Sequence, residues 1–149
     1  MSEATEVENT GAQNLAAYAN TLFEEALAGP RDQLGERLLR MSLTAWENPR
    51  LRPQLLDKIG AAATSEAGAA QLREHFHSML VVRVGESVEA PRLNLNAVVA
   101  QVVGVIMLRY VMRMEPIVSV PVDEVVRTFA PTIQRHLDAR PGPSPTQGG

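Results

Sequence analysis

The chain has 149 residues, 45% hydrophobic and 21% charged, with 17 acids against 14 bases and no cysteine. That length and balance fit one folded domain, and the missing cysteine excludes disulfides, thiolate metal sites and a cysteine nucleophile together. Three acids, Glu3, Glu6 and Glu8, crowd the first nine residues; the remaining 14 against 14 leave a neutral body with a poor electrostatic grip on nucleic acid or anionic membrane.

Residues 1–11 are polar and acidic and read as a disordered N-terminus, without the basic start and apolar stretch of a secretory signal. Residues 140–149 are rich in Pro and Gly and read as a disordered tail. The folded domain is expected over 12–139. Its most apolar run, Ala97 to Leu108, falls short of the roughly 20 residues of a membrane span. A cytoplasmic protein with no membrane association is expected.

Six segments carry a helical period and none alternates with period two. The first spans Ala12 to Ala28, with Thr10 and Gln13 at capping-box spacing and a stripe of Leu15, Tyr18, Ala19, Leu22 and Ala26. Gly29-Pro30 stops it. The second runs from Asp32 to about Trp46 on Leu34, Leu38, Met41 and Ala45, and Asn48-Pro49 closes it.

The third, Arg52 to Ala63, carries Pro53 in its first turn, where a missing N–H costs nothing. Its inward residues are expected to be Leu51, Leu55, Leu56 and Ile59. Ser65 is the expected N-cap of the fourth, Glu66 to Val84, whose stripe is Ala69, Leu72, Phe76, Met79 and Leu80.

The fifth helix, Leu93 to Met114, places Asn94, Gln101, Arg109 and Arg113 in one band. A helix apolar nearly all round is buried on several sides. The sixth, from Val122 to Leu137, is amphipathic through Val122, Val125, Val126, Phe129, Ile133 and Leu137. Asp123 and Glu124 suit the helix dipole in its first turn, and Pro131 removes one internal hydrogen bond and is expected to bend it. The fold class is all-α, with six helices packed round a very apolar fifth.

Helix six follows helix five after the short linker Glu115 to Val120, so the two are expected to pack antiparallel. If that pair lies at the edge of the fold, a second copy covers the apolar face in a two-fold, four-helix interface. The alternative is that helices two to four wrap helix five completely.

Four pieces of sequence, Gly29 to Leu39, Trp46 to Pro53, Val102 to Pro116 and Val126 to Leu137, occur in the order found in the effector domain of tetracycline-repressor (TetR) family regulators of high-GC actinobacteria, and the chain resembles that domain from about Leu22 to Leu137. The use of 13 arginines against one lysine agrees with such a source. The resemblance implies an all-helical domain that senses a small hydrophobic molecule and forms a homodimer through its last two long helices. The implied interface residues are Val105, Arg109, Met112 and Arg113 with Val122, Val125, Val126, Phe129 and Ile133.

Family members begin with a helix-turn-helix, and the short acidic stretch ahead of the matching region shows no second helix and turn to form one. No direct DNA binding is therefore expected of this chain alone. A different reading is a ligand-free interaction module that pairs with a full-length regulator of the family and modulates it.

Met41, Trp46, Phe76, Met79, Met107 and Tyr110 are the candidate wall of an effector pocket, since Met and aromatic side chains adapt to varied apolar ligands. The same spacing also suits plain core. His75, Gln101 and Arg109 are the polar candidates to orient a ligand. Arg109 and Arg113, one turn apart, are placed to meet Glu115 or Glu124 of a facing chain, or else to form a solvated edge.

His75 and His77 point to opposite sides of a helix. Glu74 with His77 forms one half of a di-iron helical motif, whose other parts are missing. His136 has no such partner three residues before it. No metal, cofactor or catalytic residue is expected, and no Gly-x-Ser-x-Gly elbow or phosphate-cradling loop occurs.

Overall fold

The computed structural model describes residues 16–142. The stretch 1–11, the Thr10–Gln13 capping box and the tail from 143 onward lie outside the described residues. Six helices follow one another, and no strand occurs among the described residues.

Helix α1 covers 16–27 and ends at the expected Gly29-Pro30. One 3-10 turn, Arg31–Gln33, leads into α2 (Leu34–Glu47). Helix α3 is Arg52–Thr64, with Pro53 in its first turn. Ser65 caps α4 (Glu66–Phe76), its hydroxyl accepting from the Gly68 N–H at 3.0 Å. Helix α4 continues with the wider π-helical bonding from His77 to Val84.

Helix α5 (Arg92–Ile106) continues in the same way from Met107 to Val111. It stops short of Met114 because Arg113 takes a left-handed backbone, φ 53°, and turns the chain towards α6. Helix α6 (Val122–Leu137) runs through Pro131 without a break.

The core is shared by α1, α2, α5, α6 and the end of α4. Leu39, Leu43, Val84 and Ile133 are completely buried, with Phe23, Val98 and Val125 at 1% exposure. Helices α2 and α6 cross tightly at Gly35, where an added Cβ would lie 2.8 Å from the Gln134 amide nitrogen. The Gly35 N–H donates to Gln134 Oε1 at 2.7 Å, and Gln134 Nε2 donates to the Arg31 carbonyl at 3.1 Å. Arg40 closes the outer side of this crossing on Asp123 at 2.6 Å.

The α3–α4 hairpin is held differently. Its two helices touch backbone to backbone where an added Cβ on Gly68 would collide with the Ala61 carbonyl. Yet α3 buries none of its residues, and α4 up to Phe76 buries only Gly68. Leu55 and Ile59 are half-buried, while Leu56 faces outward, contrary to the inward placement expected for it. The hairpin's inner apolar face is turned towards the body without packing into it.

Helix α5 is not wrapped by its neighbours. Leu95, Val98, Val105 and Ile106 are buried, whereas Leu93 is 78% exposed. Val111 and, just beyond the helix, Met112 are also exposed. The run Arg92–Val111, 20 residues with mean hydropathy 1.5, is by length and composition long enough to cross a membrane.

Candidate functional site

A cavity of about 580 Å3 opens between the hairpin and the body, within the usual range for small-molecule sites. Helix α1 contributes Leu22 and Phe23 to it, α2 contributes Leu38, Met41 and Trp46, and α5 contributes Val98, Val102 and Ile106. The hairpin supplies the opposite wall with Leu55, Ile59, Leu72, Phe76, Met79 and Leu80. The inner residues of α3 meet space, so nothing there demands a continuous apolar stripe.

Five of the nine residues singled out from the sequence, Met41, Trp46, His75, Phe76 and Met79, lie in this wall. Gln101, Met107, Arg109 and Tyr110 do not; the wall of α5 is made by Val98, Val99, Val102, Val103 and Ile106. Sequence reasoning passed over these residues because an apolar residue in an apolar helix carries no mark. It also passed over Gln54, Asp57, Lys58 and Gln71, which share the polar rim with His75. At that rim partial burial, and then the charge of Lys58, pull the His75 pKa below the ordinary imidazole value. Glu74 accepts a 3.5 Å hydrogen bond from Ser78, and no cluster of three or more metal-ligating side chains occurs among the described residues.

Behind Trp46 lies a polar cluster. The Tyr110 ring stacks on Trp46 with centroids 5.5 Å apart, and its hydroxyl donates to Glu47 at 2.8 Å. Arg109 donates to the same carboxylate at 3.1 and 3.3 Å, and at 2.7 Å to the carbonyls of both Ile117 and Val120. Arg52 donates to the Trp46 carbonyl at 2.8 Å, with its guanidinium over the Tyr110 ring. Together these bonds tie the end of α2, the start of α3 and the α5–α6 connection to one another.

Burial alone would raise the Glu47 pKa, but the Tyr110 hydroxyl and the Arg109 and Arg52 charges outweigh it and hold the carboxyl below its usual value. Burial, and then the bond to Glu47, push the Tyr110 phenol up to about 12. A carboxyl whose pKa is depressed on folding adds stability above its unfolded value, and that stability is lost as pH falls through the folded value. Tyr110→Phe keeps the stacking and deletes the hydroxyl. It is expected to cost about 1 kcal/mol in urea unfolding at neutral pH. An unchanged midpoint would mean that water replaces the bond at no cost.

Arg109 is therefore not available to Glu115 or Glu124 of a second chain, as the sequence suggested, nor does it form a solvated edge: its side chain is 10% exposed and fully engaged within its own chain. Four further residues expected at an interface, Val105, Val125, Val126 and Ile133, are at most 2% exposed and belong to the protomer's core. Val122 and Phe129 are half-buried against that core, while Met112 and Arg113 are exposed. An amphipathic stripe buries one face once, and on α6 that face is spent inside the chain.

The helix order, the hairpin over a cavity and the half-exposed α5 can now be set beside known proteins. The family described as tetracyclin repressor-like, C-terminal domain, matches residues 32–137. The chain belongs to this TetR C-terminal domain family. The crystal structure of a TetR-family regulator from Streptomyces coelicolor A3 is similar, with 28% identity and a TM-score of 0.58 over 87% of this chain and 89% of that one. No curated protein matches the chain. Membership gives the domain a role in transcription regulation, and the TetR-like match takes in every helix from α2 to α6.

Proposed function

We propose that the chain is a TetR-like effector domain that binds a small, mainly apolar molecule in the α3–α4 cavity, and that two copies associate through the outer face of α5. The observation that carries the reading is the cavity of about 580 Å3, walled by apolar side chains from five helices, under a hairpin that buries almost nothing of its own. A ligand supplies the contacts that the hairpin lacks. The domain acts in the cytoplasm as a sensor, without catalysis.

The second copy covers the apolar stripe Leu93, Ala97, Ala100, Gly104, Leu108 and Val111, which recurs every three or four residues and stays exposed or half-exposed. Small residues at its centre allow close approach of a facing helix. The polar band of α5 turns elsewhere, since Asn94 bonds to His136 of α6 at 3.2 Å.

Ligand binding to the native state alone stabilises it by about 2.7 kcal/mol at a hundredfold excess over Kd, which raises the melting temperature by roughly 5–10 °C for a chain of this size. A melting screen against aliphatic and aromatic compounds of graded length measures this. A panel that moves nothing, together with a native mass spectrum free of retained ligand, would sink the sensing role.

A further inference from the structure

The polar groups of the cavity are gathered on one side. The walls from α1, α2 and α5 are apolar except for Ser42, whose hydroxyl already donates to the Leu38 carbonyl at 3.0 Å. Every other polar lining residue stands on the hairpin: Gln54, Asp57 and Lys58 on α3, Gln71 and His75 on α4. The contact of Gly68 with Ala61 sets the register of this antiparallel pair. Three residues out from it along each helix come Lys58 and Gln71, and seven out come Gln54 and His75, so the four follow one seam.

Two members of that seam carry or accept positive charge. Lys58 is the single lysine among the chain's 14 basic residues. Every ion pair among the described residues uses an arginine, and Lys58 takes part in none. Its field reaches His75, which it disfavours in the protonated form. Asp57 is the one acid in the cavity lining. It lies about 100° round the helix from Lys58, so the two side chains leave α3 in different directions.

We infer that the cavity takes an amphiphilic acid, with an apolar body against α1, α2 and α5 and a carboxylate held at the rim by the Lys58 ammonium and the His75 imidazole. The inference rests on the reading of the cavity as a ligand site and adds the chemical class. A carboxylate there offsets the Lys58 charge and makes charge-assisted hydrogen bonds, about twice as strong as neutral ones. A neutral ligand with the same body gains neither.

The test is calorimetric titration of the full chain with decanoate and with decan-1-ol, which share a body and differ in the head. Decanoate is expected to bind about tenfold more tightly at low salt, with the preference shrinking as salt screens the rim. Lys58→Met should abolish the preference without changing the unliganded melting temperature, Lys58→Arg should keep most of it, and His75→Phe should reduce it. Both residues are exposed, so neither change threatens the fold. Equal binding of the two compounds, or a preference that survives Lys58→Met, overturns the amphiphilic-acid inference and leaves the apolar sensor standing. Binding of neither compound overturns both.

Discussion

Leu43→Ala is expected to lower the folding free energy by about 3 kcal/mol and Leu72→Ala by less than about 1 kcal/mol, although both remove the same atoms. The cost of such a truncation has two parts, lost transfer of the deleted atoms from water and the void left behind. Leu43 is completely buried in the cluster shared by α1, α2, α5 and α6, so it loses both. Leu72 stands in the wall of a cavity that already exists, so its removal widens a space and breaks few contacts. The larger loss should lower the melting temperature by roughly 6–12 °C. Urea unfolding of the two variants and the parent, without ligand, reads the difference directly. If Leu72→Ala proves as costly as Leu43→Ala, the hairpin is closed onto the body in solution. The proposed ligand site then loses its volume.

The same pair of residues shows what a sequence reading can and cannot reach. Helix ends were legible because they are local chemistry: Gly29-Pro30 after α1, Pro53 in the first turn of α3 and Ser65 before α4 all sit where the ends are found. A cavity wall is not local. Leu72 and Leu43 both mark the inward face of a helix, and only the distance to the next element decides which one meets packed neighbours. Arg109 misled for a related reason, since a polar residue on an apolar helix suggests solvent or a partner chain. Instead the band of α5 that carries Asn94 and Arg109 makes bonds within the fold, to His136, Glu47 and the α5–α6 connection. The face of α5 that is open is the apolar one. Likewise the clean stripe of α6 described the protomer's own core, with Val125, Val126 and Ile133 buried in it. Periodicity tells that a face is covered, and says nothing of what covers it.

Gly104→Glu tests the covering of α5. In the single chain a Cβ at Gly104 would meet no atom within 4 Å, so the protomer has room for the larger side chain. Glutamate also suits a helix interior better than glycine does. The unassembled fold should therefore be unharmed. In a two-fold pair the same stripe faces itself, so the substitution places a carboxylate on both sides of one contact, each desolvated and neither with a cation to meet. At several kcal/mol per buried ion, association should weaken by at least about 100-fold. Native mass spectrometry at micromolar protein should then change from about twice the chain mass to the 16.2 kDa of one chain. Phe129→Glu would be a poorer probe, because Phe129 is half-buried against its own core and the charge would disturb the fold as well as any contact. A Gly104→Glu protein that remains a dimer of undiminished affinity would place the association on another surface. The exposed stripe of α5 would then need a different partner.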